Sequence, residues 1–316
     1  MQNYIIFPNI HSAYTCCATI PDKVFSSNIT LLIKDGNHIF ITFASAGTSI
    51  RTRRPLVRMQ TILFHDTIFG PIHSRRLGTS LGVNLSPNDG KVCSFDCLYC
   101  EAGFNAQGPG TTGLPQRTDV RRQLEEKLNE MKLNNQPLDV ITFSGNGEPT
   151  LHPDFKNIIE DTLRLRDQYF PEVKISVLSN STCLGREDVC DALRLIDNNI
   201  LKLDSAIDST IKLLDRPASP TFTAAKVIGQ LKQFGEQCII QTMILRGTHN
   251  GEIIDNTTPQ EVDALIKAYK EIAPKEVMLY SIDRKTPEES LCKISTEELN
   301  IIADRIRDHG IKVQVN

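Results

Sequence analysis

From Met59 to the end of the chain, short apolar runs alternate with amphipathic patterns of helical length. The runs Gly82–Leu85, Val140–Ser144, Lys174–Ser179, Ile200–Asp204, Cys238–Ile244, Glu276–Ile282 and Lys312–Val315 are rich in Val, Ile and Leu. They do not alternate apolar with polar, which is the pattern of parallel strands buried on both faces. Between them the spacing predicts helices over Thr118–Lys132, Asp154–Tyr169, Glu187–Ile196, Phe222–Phe234, Pro259–Ile272 and Thr296–His309. Two helices carry explicit start signals. Thr258-Pro259-Gln260-Glu261 supplies an N-cap hydroxyl, a proline at the first helical position and a glutamate at the third. Ser295-Thr296-Glu297-Glu298 repeats the capping box, and Gly310 offers a stop.

Six or seven βα units in succession predict an α/β fold, either a barrel or an open doubly wound sheet. Ser144, Ser179, Asp204 and Ser281 each close an apolar run with a polar group. That favours a barrel, whose chemistry sits on the rim at the C-terminal ends of the strands. The plainer alternative at each position is a side chain that caps the following loop.

The first 58 residues differ. They hold six Lys/Arg and two acids, a net +4, which leaves −7 for the remainder of a chain whose formal charge is −3. Ile29–Ile33 and His38–Phe43 are β-type runs, but no amphipathic helix is evident. Arg51–Arg58 reads as a solvated linker more readily than as a nucleic-acid arm. Residues 1–58 are therefore expected to be a dispensable N-terminal extension, poorly ordered or an over-extended start, and residues 59–316 the core domain. The near-neutral total argues against coating nucleic acid by charge alone. No apolar run approaches the ~20 residues of a membrane helix, and the opening residues lack a signal-peptide pattern. A cytoplasmic protein with no membrane partner is expected.

In that compartment, clustered cysteines more often bind metal than form disulfides. Of the nine, Cys93, Cys97 and Cys100 form a C-x3-C-x2-C run in a loop opened by Ser86-Pro87-Asn88-Asp89-Gly90. Three thiolates this close can hold one metal centre. A structural zinc requires a fourth ligand, for which His73 is the nearest candidate. On a four-iron cluster, three thiolates leave one iron open. Cys16 and Cys17 are adjacent; the other four, Cys183, Cys190, Cys238 and Cys292, are scattered, and packing as small apolar groups is expected of them. The second signal, Ser144-Gly145-Asn146-Gly147-Glu148-Pro149-Thr150, ends the second apolar run. Its glycines would admit a ligand close to the backbone, and Glu148 could accept from an ammonium group. A tight βα turn is the bland reading.

Together, in this order, the two motifs resemble the radical S-adenosylmethionine (SAM) superfamily, over about Met59 to Asn316. The resemblance implies a partial (β/α)6 TIM-like barrel with Cys93, Cys97 and Cys100 holding a 4Fe–4S cluster. It places Tyr99 near the adenine of SAM, and Gly145, Gly147 and Glu148 at the methionine amino group. Ser179, Asn180 and Asp204 fall at positions that reach the ribose or carboxylate. Asn146 departs from the family's usual glycine. The implied reaction takes an electron from a flavodoxin- or ferredoxin-type donor and cleaves SAM to a 5′-deoxyadenosyl radical that abstracts a substrate hydrogen. Asp215-Arg216-Pro217 and Asp283-Arg284 are similar to a broad group of iron–sulfur oxidoreductases that includes the tRNA wyosine-base enzymes. The substrate stays open: an RNA met by Arg75, Arg76, Arg117, Arg121 and Arg122, a partner enzyme to be activated, or a small molecule. A zinc-stabilised binding module without turnover is the alternative from another class.

Overall fold

The computed structural model describes residues 62–316 except 75–76, together with the backbone of two earlier strands. The chain divides into two units, residues 1–57 and 58–316. In the first, β1 (Asn28–Lys34) and β2 (His38–Ala44) pair antiparallel, with Asn28 opposite Ala44. The expectations that residues 1–58 are dispensable and poorly ordered, and that Arg51–Arg58 is a linker, lie outside the described residues.

In the second unit, seven strands run parallel: β4 (Gly78–Val83), β5 (Val140–Phe143), β6 (Lys174–Ser179), β7 (Asn198–Lys202), β8 (Cys238–Met243), β11 (Glu276–Tyr280) and β13 (Val313–Val315). They lie side by side in chain order, and β3 (Ile68–Ser74) adds an antiparallel edge beside β4. Helices α1 (Arg117–Leu133), α2 (Phe155–Tyr169), α3 (Glu187–Arg194), α4 (Asp208–Leu214), α5 (Ala224–Leu231), α6 (Pro259–Ile272) and α7 (Thr296–Arg307) connect them. Repeated βα units with neighbouring strands in sequence order, open between β3 and β13, make a partial TIM-like barrel.

Strand alternation divides the side chains into two sets. Leu81, Ile141, Phe143, Ile175, Val177, Leu201, Ile240 and Val277 point outward and share one core with Leu124, Ile158, Val189, Val227, Leu265 and Ile302 of the helices. Ser80, Thr142, Leu178, Ile200, Met243 and Met278 face the lumen. Both predicted N-caps form: Thr258 accepts from Glu261 N at 3.3 Å and Ser295 from Glu298 N at 3.2 Å, while the Glu261 and Glu298 carboxylates bond Ser205 and Arg246 instead of completing the box.

The sequence pattern does not reveal β3, α4 or a small antiparallel sheet of β9 (Leu245–His249), β10 (Glu252–Asp255) and β12 (Leu291–Lys293). That sheet lies against the rim through an apolar cluster of Leu245, Ile254, Leu98, Leu214 and Met243. Among the described residues no helix is long and apolar enough to cross a membrane.

Candidate active site

The cysteine run sits in the long loop after β4, with little regular structure of its own. Its shape comes from a second segment, Leu214–Ala218, which lies alongside it. Leu98 N donates to Leu214 O at 3.0 Å, Asp96 N to Asp215 O at 3.0 Å, and Ala218 N to Ser94 O at 2.9 Å. Side chains reinforce this strap. Arg216 pairs with Asp96 at 3.2 Å, and its guanidinium lies 5.1 Å from the Phe104 ring centre. Asn105 donates to Cys93 O at 3.3 Å and to Phe95 O at 3.1 Å. The buried Lys91 ammonium donates to Gly103 O at 2.7 Å.

The three thiols are electrostatic neighbours: Cys93 and Cys100 both push the Cys97 thiol upward, and Cys100 pushes Cys93. Burial is the larger influence, raising Cys93 to about 11 and Cys97 well above the usual thiol range. Buried thiols of this kind stay protonated at neutral pH unless a metal centre deprotonates them. Donors already surround the sulfurs. Phe95 N and Asn180 Nδ2 each point at Cys93 Sγ at 3.5 Å, and Lys202 Nζ at Cys97 Sγ at 3.6 Å. Lys91 and Lys202 offset thiolate charge at Cys93 and Cys97 respectively. Donors and cations aimed at sulfur fit an anionic thiolate centre. Among the described residues, no three His, Cys, Asp or Glu side chains converge on one ion. A four-iron cluster distributes its thiolates over separate irons.

The Gly145–Glu148 segment is joined directly to this loop. Val92 and Gly147 form a parallel bridge, with Val92 N donating to Asn146 O at 3.2 Å and Glu148 N to Val92 O at 3.0 Å. The glycines also make room for the protein's own groups. A Cβ on Gly147 would lie 1.9 Å from Val92 O, and one on Gly145 would lie 2.4 Å from Asn84 Oδ1. The space they leave is filled by the protein itself. Asn146, the departure from glycine, is fully buried. Its amide accepts from Phe64 N and donates to Phe64 O, both at 2.8 Å, and to Pro87 O at 2.9 Å.

Glu148 is buried, and burial raises its carboxyl while four donors oppose the shift. Oε1 accepts from Ser179 Oγ at 2.9 Å and from Thr150 N at 3.1 Å and Oγ1 at 2.5 Å; Oε2 accepts from Asn180 N at 2.6 Å. Oε2 therefore keeps acceptor capacity. Glu148 ties the end of β5 to the end of β6. Asn180 extends the tie to the cysteine loop through Ser94 Oγ at 2.9 Å and Cys93.

At the end of β7, Lys202 and Asp204 occupy one face. Lys202 Nζ lies 2.5 Å from Asp204 Oδ2 and 2.8 Å from Asp215 Oδ1, and the Tyr99 hydroxyl contacts both Lys202 and Asp204. Asp204 Oδ1 also accepts from Met243 N at 2.9 Å. Burial raises the Asp215 carboxyl to about 7 against the lowering effect of Lys202. Beside Tyr99 opens a cavity of about 390 Å³ that runs down the lumen past Ser144, Leu178, Met243 and Tyr280. One wall is the pair Phe64–Phe69, stacked with ring centres 3.8 Å apart. The volume lies within the range of small-molecule pockets.

The model of the Radical SAM superfamily matches residues 88–255, more than half of the chain, including the cysteine loop, Gly145–Glu148, the ends of β6 and β7 and the Leu214–Ala218 strap. This chain belongs to the radical SAM superfamily. Membership implies SAM and a 4Fe–4S cluster as cofactors, and the thiol environment fits such a centre. Among curated relatives, the chain is similar to "GTPase Obg" of Brachyspira hyodysenteriae, 30% identical over 80% of this chain but only 36% of that protein. The chain thus spans about a third of that relative, and contains no Gly-x4-Gly-Lys-Ser/Thr phosphate loop. It is also similar to the UPF0026 protein MJ1312 of Methanocaldococcus jannaschii, 29% identical over 78% of this chain and 74% of that protein. Among solved structures, a radical SAM methyltransferase from Sphaerobacter thermophilus shares the fold. Its TM-score is 0.55 at 14% identity, over 75% of this chain and 65% of that one.

Of the residues predicted for the radical SAM site, the fold brings Cys93, Cys97, Cys100, Tyr99, Gly147, Glu148, Ser179, Asn180 and Asp204 to one end of the sheet. Gly145 lies behind them, against Asn84. Arg75 and Arg76 are outside the described residues. Arg117 and Arg122 are engaged, with Asp161 at 2.7 Å and Glu126 at 3.1 Å. Cys190 and Cys238 are buried as expected, but Cys292 is exposed, so apolar packing does not explain it. Sequence reasoning missed Lys202, Lys91 and Asn84, and singled out Asp215 only within Asp215-Arg216-Pro217, without a role. A lysine inside the apolar run Ile200-Leu201-Lys202-Leu203 was the available signal, since a charge buried in a strand requires partners.

Proposed function

We propose that Cys93, Cys97 and Cys100 hold a 4Fe–4S cluster at which SAM is reductively cleaved, and that the group to be oxidised enters the barrel lumen beside Tyr99. When bound, the reduced cluster and SAM together supply a 5′-deoxyadenosyl radical that abstracts a substrate hydrogen. The chain's own residues shape and dry the site. Leu214–Ala218 fixes the cysteine loop, the Val92–Gly147 bridge joins it to the β5 end, and Oε2 of Glu148 has room for one more donor, which an ammonium of SAM would provide. The electron comes from a flavodoxin- or ferredoxin-type donor. The observation that carries this reading is the set of three neighbouring thiols, Cys97 buried and Cys93 and Cys100 partly buried, with N–H donors aimed at Cys93 and Cys97 and two lysines beside them, at the rim of a lumen cavity. That cavity holds one small molecule or one inserted side chain or base.

Metal analysis tests the assignment. Anaerobically reconstituted protein is expected to carry about four irons and four acid-labile sulfides per chain. Cys93→Ala, Cys97→Ala and Cys100→Ala should each lose both, whereas Cys183→Ala should not. One zinc per chain in place of iron would leave the binding-module reading standing.

A further inference from the structure

A buried ammonium beside one of the three thiols needs an explanation that charge neutralisation alone does not give. Lys202 is mostly buried and faces two carboxylates, Asp204 at 2.5 Å and Asp215 at 2.8 Å, so the ion group carries more acid than base. A lone ion pair would have satisfied the lysine. Instead its ammonium also donates to Cys97 Sγ at 3.6 Å and lies over the rings of Tyr99 and Phe95, 4.4 Å and 5.9 Å from their centres. Tyr280 also faces it. With Asp204, Asp215 and Tyr99 on its other sides, the ammonium is fixed in place.

We propose that Lys202 is a positioning residue for the cluster, held against Cys97 by Asp204 and Asp215 so that its N–H···S contact and charge raise the cluster's reduction potential. The inference rests on the cluster assignment above. Taking up an electron makes the centre more negative, so a nearby cation and a donor to sulfur stabilise the reduced form, and a nearby carboxylate opposes it. Asp215 thus has two opposed effects. Its carboxylate holds Lys202 in place while its charge works against reduction. Its backbone carbonyl meanwhile holds the cysteine loop through Asp96 N. This gives the Asp215-Arg216-Pro217 segment a role that its sequence does not reveal: loop brace and charge setting arrive on one strap.

The test is a redox titration followed by electron paramagnetic resonance, on anaerobically reconstituted wild-type, Lys202→Met and Asp215→Asn proteins, with iron measured in each. It is run at about pH 8.5, so that the Asp215 carboxyl, which burial raises, carries its charge. Lys202→Met should shift the equilibrium at least tenfold toward the oxidised cluster, about 59 mV for a one-electron couple. In Asp215→Asn the ammonium is still held by Asp204, so the loss of the opposing charge should shift the equilibrium the other way. A merely structural role would cost iron in both variants without moving the midpoints in opposite directions. Unchanged midpoints, or shifts of the same sign, overturn the proposal. If Lys202→Met holds no iron, Lys202→Gln, which keeps an N–H donor and removes the charge, decides: a lowered midpoint supports the proposal, and an unchanged or raised one overturns it. Failure of the wild-type protein to assemble a cluster would instead refute the cluster assignment, and is seen before any variant is made.

Discussion

The helix-facing side of the sheet and the rim above it are held together by different forces. Outward, Leu81, Ile141, Phe143, Val177, Leu201 and Ile240 are fully buried in one apolar core with the helices. At the rim, the fixings are polar: side-chain amides and carboxylates bonded to backbone groups, and two buried lysines among acids and thiols. The first region sets stability and tolerates apolar side chains of similar volume. The second sets where three sulfurs lie, and each bond in it has a defined partner. Substitutions in the two regions should therefore separate folding from cluster binding.

The largest effect on stability is expected in the core. Phe143→Ala removes a fully buried ring packed edge-on against Phe155 at 6.4 Å between centres. It should cost about 3–5 kcal/mol in urea denaturation, while the fraction that folds keeps its full iron. Loss of iron from folded protein would break the comparison. Gly147→Ala should do the reverse. Its methyl group would collide with the Val92 carbonyl, which is backbone and cannot rotate away. Overpacking should cost about 1–3 kcal/mol but remove most of the iron, because Cys93 follows Val92 directly.

Asn146→Gly restores the commoner residue and deletes three side-chain hydrogen bonds, to Phe64 N, Phe64 O and Pro87 O. About 2 kcal/mol is expected, with faster amide exchange at Phe64 as the local readout. Unchanged exchange would mean that the 62–67 segment is held by other contacts. A smaller effect, visible only against pH, is expected at Asp161. Burial there raises the carboxyl, but the bonds from Arg117 and Arg164 outweigh it and the net shift is downward from 3.8. A carboxyl lowered by folding stabilises the native state above its unfolded value, and that contribution is lost as pH falls through it. The gap in stability between wild type and Asp161→Asn should therefore be widest near neutrality and narrow below about pH 4. A gap that widened with acid would contradict the assigned partners.

The same division explains what the sequence makes legible. Lys174–Ser179 and Pro259–Ile272 agree with the structure at both ends, because a continuous apolar run and a capping box are local signals. β3 is not recognisable, because Gly70-Pro71 interrupts it and reads as a turn, where the structure has a bulge between Phe69 and Ile72. α4 has only seven residues, too short for a helical period to show. At the site, spacing alone identifies the cysteines. The glycines at 145 and 147 are found, but not that Asn84 and Val92 occupy the space next to them. Lys202 and Asp215 acquire their meaning only when the end of β7 and the segment after α4 meet the cysteine loop, a long-range fact without a local pattern.

The most direct test of the account is to incubate the reconstituted protein anaerobically with SAM and a low-potential reductant, and to measure 5′-deoxyadenosine. The wild-type protein should release it, and Cys97→Ala, lacking one of the three thiolates, should release none. A wild-type protein that holds its iron, binds SAM and still leaves it intact on reduction would contradict the central claim.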